Sequence, residues 1–112
     1  MLTPRMEAIV NLLGITETVA DIGCDHGKLS AYLIKNNYAN KVFATDISEP
    51  SLEKAKKLAK KEELNNIFFC VGDGFNALPQ KTDAAVIAGM GGEVIANIID
   101  NKFAKTKLVL QP

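Results

Sequence analysis

The sequence has little of several features that mark particular classes of protein. Its 112 residues contain two cysteines, Cys24 and Cys70, one histidine and no tryptophan. Two cysteines without metal-ligand spacing exclude a disulfide-rich scaffold and a cysteine-based metal site, and they favour reduced thiols in the cytoplasm. No apolar run approaches the length of a membrane span, and no signal-peptide pattern opens the chain. We therefore expect a cytoplasmic protein without a membrane or metal partner.

The chain also lacks an excess of charge of either sign, since 13 basic residues balance 13 acidic ones. Global charge gives no support for binding to nucleic acid, so such a role needs a local patch. The composition is 47% hydrophobic and 23% charged, which is typical of an ordinary globular domain. The length predicts one domain, residues 1–112, with one core.

Apolar strand segments alternate with amphipathic helical segments. Strands are predicted over 19–22, 41–45, 67–71, 84–88 and 107–110. Helices are predicted from Pro4, Gly27 and Ser48, with Leu29, Tyr32 and Leu33 buried on the second, and apolar residues between 94 and 99 indicate another. The stretch 76–82 allows at most one turn of helix. This alternation predicts an α/β fold, a Rossmann-like three-layer sandwich around a parallel sheet of about five strands.

The stretch from Thr18 to Leu29 predicts a ligand cradle where the first strand meets the second helix. Gly23 and Gly27 allow the backbone to approach a ligand closely, and the helix start offers unpaired N–H groups. Asp21 adds a carboxylate at the end of the strand. This carboxylate repels phosphate but attracts an ammonium or sulfonium group, which favours S-adenosylmethionine over ATP.

Acidic residues also follow the next two strands, at the edge of the sheet where ligands of parallel sheets bind. Asp46 is placed to accept both ribose hydroxyls of an adenosine, and Ile47 to pack on its adenine. Asp73, between Gly72 and Gly74, is placed to accept from the adenine amino group. The alternatives are an ordinary loop carboxylate at Asp46 and a turn aspartate at Asp73.

The spacing of glycines argues against a dinucleotide. The G-x-G-x-x-G fingerprint, counted from Gly23, requires glycines where the chain has Asp25 and Lys28. A phosphate-binding Walker motif is also missing. Asp21 followed by Gly23 and Gly27 suits the first motif of a methyltransferase better.

Several stretches together resemble the bacterial TrmK-type family of S-adenosylmethionine-dependent tRNA methyltransferases, which act on N1 of adenine-22. They are Asp21-Ile-Gly-Cys-Asp-His-Gly-Lys-Leu29, Gly72-Asp-Gly74, Ile87-Ala-Gly-Met-Gly-Gly92 and Leu108-Val-Leu-Gln-Pro112. The opening Leu2-Thr-Pro-Arg-Met6 is similar as well. The resemblance covers essentially the whole chain, and it implies a class I methyltransferase fold, adenosylmethionine as donor and tRNA as acceptor.

The resemblance implies roles for residues that composition leaves unassigned. Asp25 is the candidate to stabilise the cationic methylated adenine, although it is also a candidate N-cap of the second helix. His26 is placed to hold cofactor or base, or else to pack, and Arg5 to contact phosphate or base. Gly89 and Met90 lie in a glycine turn that is expected to contact the cofactor.

The family has a longer sheet and a C-terminal helical region that helps to grip tRNA. We therefore expect a domain that lacks the last strands of the full fold, with the fifth strand as an exposed edge that invites self-association. Two alternatives to tRNA methylation stay open at this point. One is a cofactor-binding fragment without turnover, and the other is a methyltransferase for a different acceptor.

Overall fold

The computed structural model describes residues 3–88 and 107–111. Its helices are α1 (Pro4–Leu13), α2 (Lys28–Lys35) and α3 (Glu49–Lys61). Its strands are β1 (Thr16–Ile22), β2 (Ala39–Asp46), β3 (Ile67–Val71), β4 (Ala84–Ala88) and β5 (Lys107–Gln111). A 3-10 helix (Gly74–Ala77) lies between β3 and β4, which agrees with the single turn predicted for that crossover.

The described strands form one parallel sheet in the order β3-β2-β1-β4-β5. The chain moves outward from β1 through β2 to β3, and then returns to pair β4 with the other side of β1. In register, Ile22 lies between Thr45 on β2 and Ile87 on β4. The strand order therefore reverses beside β1, and open parallel sheets bind ligands at the carboxyl ends next to such a reversal. The predicted Rossmann-like α/β fold is confirmed.

Both faces of the central strands are buried. On one face, the core contains Ile9, Val10, Leu13, Leu29, Leu33, Leu52 and Ala59 from the helices and Val19, Val42 and Val86 from the sheet. On the other face, Phe75 and Leu78 pack against Ala20, Ile22, Phe43, Ala85 and Ile87. Burial on both faces explains why the strands are apolar runs and not alternating patterns. The further helix predicted near 94–99 lies outside the described residues.

Local sequence sets the helix ends. The Thr3 hydroxyl accepts a hydrogen bond from the Met6 N–H at 3.2 Å, and Pro4 fills the first helical position. The Ser48 hydroxyl accepts from the Ser51 N–H at 3.3 Å in the same way. Such caps satisfy N–H groups that have no partner inside the helix. Gly14 ends α1 with a left-handed φ of 68°, so the predicted helix boundaries here are confirmed.

Three strands are longer than predicted: the first, the second and the fifth, which ends at Gln111 and not Leu110. The first begins at Thr16 and not Val19, because its exposed start pairs with the first residues of β2, as in Thr16 with Ala39. The second accordingly extends to Ala39–Asp46. The prediction that Tyr32 is buried was wrong: its side chain is only half-buried, although it packs against the core.

The edges of the described sheet are β3 and β5. Leu110 on β5 is 41% exposed. The prediction that the fifth strand is an edge strand is therefore confirmed for the part of the chain that the structure describes. Within those ranges, no helix is both long and apolar enough to cross a membrane.

Candidate functional site

The turn between β1 and α2 is fixed to the end of β2. The Cys24 N–H donates to the Thr45 carbonyl at 2.8 Å, and the Gly27 N–H donates to the Cys24 carbonyl at 2.9 Å. Asp25 has a φ of 52°, in the left-handed region that aspartate tolerates better than most residues. The backbone therefore bends sharply at Asp25 and enters α2 immediately afterwards.

Gly27 is required where this turn touches α3. Its φ is 78°, and a Cβ built on it meets the Ala55 Cβ at 2.8 Å. Real Cβ atoms do not approach so closely, so a side chain at Gly27 forces either the turn or α3 to move. The glycine thus holds the start of α2 against α3, next to the ends of β1 and β2.

Asp46, the last residue of β2, joins this turn to the start of α3. One carboxylate oxygen, Oδ2, accepts from the Asp25 N–H at 2.9 Å, and the other, Oδ1, accepts from the Ser48 N–H at 2.9 Å. Hydrogen bonds from N–H groups to a carboxylate are stronger than those between neutral groups. Asp46 is therefore a structural clamp between two loops, in addition to the ribose role predicted from its position.

Asp21 is buried near the end of β1, with only 3% of its surface exposed. Its Oδ2 accepts from the Ser30 hydroxyl at 2.6 Å, and Ser30 is itself fully buried on α2. Burial raises the pKa of the Asp21 carboxyl, the bond from Ser30 opposes the rise, and the negative Asp46 adds to it, so that the pKa is about 6. The site therefore holds a carboxylate whose charge is poorly compensated until a cation approaches.

The thiol of Cys24 lies among these carboxylates. Burial and the negative charges of Asp21, Asp46 and Asp25 all raise its pKa. The reactive form of cysteine is the thiolate, which this environment disfavours. Cys24 is therefore a packing residue and not a nucleophile.

A cavity of about 230 Å³ opens at this end of the sheet. It is lined by Arg5, Met6, Ile9, Asp21, Gly23, Cys24, Asp25, His26, Lys28 and Leu29. We call it the strand-end cavity. It brings together Arg5 from α1 and the predicted residues of the first turn, although some twenty residues separate them in sequence. The structure thus brings Arg5, Asp21, Asp25 and His26 to one cavity.

Asp25 and His26 are the most accessible polar groups of the turn. The side chain of Asp25 is 75% exposed, and its Oδ1 lies 3.5 Å from the His26 Nε2. The alternative interpretation of Asp25 as an N-cap was wrong: Gly27 occupies the N-cap position of α2, without a side-chain cap. The left-handed turn directs the chain past Asp25 before the helix begins, which leaves the carboxylate facing solvent.

The predicted adenosine side lies at the ends of β2 and β3. Ile47 is 75% exposed, and the Gly72 N–H donates to the Asp46 carbonyl at 3.0 Å, which holds the Gly72-Asp73-Gly74 turn beside β2. Asp73 is exposed, and its side chain does not cap the 3-10 helix that follows. Gly89 and Met90 lie outside the described residues. Among the described residues, no cluster of histidine, cysteine, aspartate and glutamate side chains could hold a metal ion.

Comparison with known proteins identifies the family. The sequence profile of a family described as a methyltransferase domain matches residues 2–112, nearly the whole chain. The chain belongs to this family.

Three similar proteins relate the methyltransferase domain to tRNA-modifying enzymes. A Mycoplasma genitalium protein provisionally named a tRNA methyltransferase is 43% identical over 115 residues, covering 96% of the domain and 51% of the relative. A tRNA (adenine(22)-N(1))-methyltransferase of Bacillus subtilis is 34% identical over 117 residues, covering 99% and 49%. The structure of M. capricolum TrmK with S-adenosyl-homocysteine matches with a TM-score of 0.89 at 30% identity, covering 98% and 51%.

These relatives confirm the resemblance to the TrmK-type family that the sequence motifs indicated. The domain spans about half the length of each of them.

Two residues of the site in the methyltransferase domain were not predicted from the sequence. Ser30 falls in an amphipathic helix where serine is usually exposed, and only the packing of α2 shows that it faces Asp21. Lys28 lines the strand-end cavity, although in the sequence it is simply the residue that excludes a dinucleotide fingerprint. The sequence offered one indication that Ser30 is buried, because Ser30 lies near Leu29 and Leu33, which are predicted to be buried.

Proposed function

We propose that this domain binds S-adenosylmethionine at the carboxyl ends of its strands and belongs to an enzyme that methylates N1 of an adenine in tRNA. The observation that carries the proposal is the meeting of Asp21, Asp25 and Asp46 beside the reversal of strand order, at a glycine-bearing turn. The relatives support it, because one is named for methylation of adenine-22 in tRNA and another holds S-adenosyl-homocysteine.

The carboxylates at the strand-end cavity fit the amino-acid end of this cofactor. The cofactor carries an ammonium and a sulfonium group, and Asp21 and Asp25 offer carboxylates on the cavity wall. A cation that approaches Asp21 favours its ionised form and offsets the cost of its burial. A phosphate-bearing cofactor faces repulsion from the same groups, so the carboxylates support adenosylmethionine over a nucleotide.

The adenosine end fits the ends of β2 and β3. Each carboxylate oxygen of Asp46 has a second lone pair, so the side chain can accept ribose hydroxyls while it holds the two loops. Ile47 offers an exposed apolar surface to the adenine, and Asp73 an acceptor for its amino group. The complete set proposed for cofactor binding is Asp21, Gly23, Asp25, His26, Gly27, Asp46, Ile47, Gly72, Asp73, Gly74, Gly89 and Met90.

Methyl transfer to adenine N1 mainly requires that the base and the cofactor are correctly aligned. Adenine N1 has its own lone pair, and the bound cofactor supplies the electrophilic methyl group. Methylation leaves positive charge on the base, and the exposed carboxylate of Asp25 is placed to stabilise that charge or to accept a proton from N6. His26, 3.5 Å from Asp25, and Arg5, which also lines the strand-end cavity, complete the proposed catalytic group.

Thermal unfolding tests the cofactor assignment. Saturation with adenosylmethionine or its homocysteine product at about one hundred times Kd should raise Tm by roughly 10 °C. Asp73→Asn should reduce this shift, because the exposed carboxylate of Asp73 does not cap the 3-10 helix and is the proposed acceptor for the adenine amino group. Glu53→Gln on the exposed face of α3 is the matched control. Absence of a shift with either ligand at millimolar concentration refutes cofactor binding by this chain.

Transfer of labelled methyl tests the acceptor. Tritium from the donor should enter tRNA with adenine at position 22 and should not enter the same tRNA with guanine there. Equal labelling of the two tRNAs contradicts the assignment to that adenine.

A cofactor-binding half without turnover is the second candidate. It is favoured by the coverage of about half the length of the relatives. A thermal shift with adenosylmethionine, together with tRNA that stays unmethylated, would support this candidate over the first.

A further inference from the structure

A second and larger cavity follows the outward face of α2. Its volume is about 400 Å³, and it is lined by Met6, Lys28, Ala31, Tyr32, Lys35, Asn36, Leu58 and Glu62. Residues 28, 32 and 35 lie on one side of the helix, so the cavity is a furrow parallel to its axis. We call it the α2 furrow. None of the predicted cofactor residues lines it.

The α2 furrow adjoins the strand-end cavity, because Met6 and Lys28 line both. Lys28 is exposed, and it forms no ion pair in the part of the chain that the structure describes. A polymer with one residue in the strand-end cavity can therefore continue into the furrow past a lysine that is available for a phosphate.

Inside the furrow, an aromatic ring is held in a fixed position. Tyr32 stacks on Tyr38, with ring centroids 6.0 Å apart and planes 19° from parallel. A half-buried ring supported on one side offers a platform on which a nucleobase can stack, as in proteins that bind single-stranded nucleic acid.

The charges along the furrow are mostly positive. Lys35, 60% exposed, pairs with Glu62 at 2.8 Å. Lys54 and Lys61 are exposed on α3 and flank Leu58 by helical spacing, so more positive charge lies next to this wall. Glu62 is the only acidic residue that lines the furrow among the described residues. Its ion pair with Lys35 engages an ammonium group that a phosphate would otherwise contact.

We propose that the α2 furrow binds a nucleotide of the RNA strand next to the methylated base, with Tyr32 stacking on the flanking base and Lys28 and Lys35 contacting its phosphates. This inference rests on the proposed tRNA methyltransferase function and names the surface that holds the acceptor. Glu62 acts as a counter-charge that the phosphate displaces from Lys35. A polypeptide segment is the other possible occupant, but the run of lysines from the reacting site along the furrow favours a polyanion.

Two single-charge changes should act in opposite directions. Lys35→Ala should weaken binding of unmodified tRNA by about 3- to 10-fold and reduce the slope of log affinity against log salt by about 0.7. Glu62→Gln should strengthen binding about 2- to 3-fold at low salt, because it removes the competing carboxylate. Lys81→Ala and Glu17→Gln, exposed residues before β4 and on β1, are the controls with equal charge change. Affinity is measured by fluorescence anisotropy at several salt concentrations.

The aromatic platform is tested by a matched pair at Tyr32. Tyr32→Leu keeps apolar bulk but removes the ring face, and it should weaken tRNA binding by about 5- to 100-fold. Tyr32→Phe keeps the ring and should bind as the parent chain does. The thermal shift with adenosylmethionine should be the same in all these variants, since Tyr32, Lys35 and Glu62 do not line the strand-end cavity.

The outcomes separate this inference from the proposed function. If the parent chain methylates or binds tRNA while Lys35→Ala and Tyr32→Leu bind it normally, the furrow assignment is wrong and the function stands. A fall in affinity that is independent of salt and equal in Tyr32→Phe and Tyr32→Leu also overturns it, and points to a polypeptide or structural role. If the parent chain neither binds nor methylates tRNA, the furrow assignment and the tRNA acceptor both fail for this chain, while cofactor binding is decided separately by the thermal shift.

Discussion

Replacement of Asp46 tests the clamp at the centre of the proposed site. Asp46→Ala removes both acceptors of the N–H groups of Asp25 and Ser48, each at 2.9 Å. The left-handed turn at Asp25 then loses one of its supports and the start of α3 loses another. We expect a less stable chain even before any ligand is added.

The size of the effect follows from the bonds lost. A hydrogen bond to a charged group contributes about 1.5–3 kcal/mol, and the half-exposed setting of Asp46 places these two near or below the lower end. The free energy of unfolding should therefore fall by about 2–3 kcal/mol, a decrease in Tm of roughly 8–12 °C. Asp46→Asn keeps one acceptor oxygen and should lose about half as much.

Urea denaturation without ligand measures this change, and Asp73→Ala is its control. Asp73 also follows a strand end, but it is exposed and its side chain does not cap the following helix. Its replacement should alter stability by less than about 0.5 kcal/mol, as is usual for surface changes. If Asp46→Ala is as stable as Asp73→Ala, the clamp contributes nothing and Asp46 serves the ligand alone.

Three further predictions concern the same region. The pKa of Asp21 is raised to about 6 in the folded chain, so the folded state binds more protons than the unfolded state between about pH 4 and 6. Its contribution to the free energy of unfolding should therefore fall by about 1 kcal/mol from pH 5 to 7, and Asp21→Asn should remove this difference in urea denaturation; an unchanged difference contradicts it. Gly27→Ala should destabilise the chain through the 2.8 Å approach to Ala55, and a double-mutant cycle with Ala55→Gly should show a coupling of about 1 kcal/mol or more, whereas additivity excludes the contact. Iodoacetamide at pH 8 should alkylate Cys70 before Cys24 in the folded chain, as read by peptide mass, because Cys24 is buried among carboxylates; the reverse order contradicts this description.

Local patterns were sufficient for much of the fold. The third and fourth strands, Ile67–Val71 and Ala84–Ala88, match the predicted ranges, because each is a short apolar run followed by glycine in the sequence. The caps at Thr3 and Ser48 were also readable, since they depend on residues three positions apart. Alternation of these elements then left the parallel α/β sheet as the expected architecture.

Contacts between distant residues could not be predicted in this way. Tyr32 appeared buried because it lies beside leucines, yet the side of α2 that faces the sheet is set by packing against β2 and α3, which places Ser30 inside, where it bonds Asp21 of β1. Asp25 appeared equally suited to cap a helix, and only the bond from its N–H to Asp46 shows the turn that prevents this. In both cases a partner about ten or twenty residues away decides the local structure.

The position of α2 connects the two proposed surfaces. Its first turn closes the strand-end cavity through Lys28, while its outward side forms the α2 furrow as far as Lys35. The Gly27–Ala55 contact and the Asp21–Ser30 bond fix the same helix against α3 and β1. A shift of α2 therefore changes both cavities, and loosening of either contact should weaken cofactor and RNA binding together. Changes confined to Tyr32 or Lys35 leave those two contacts intact, which is why they can separate the acceptor surface from the cofactor site.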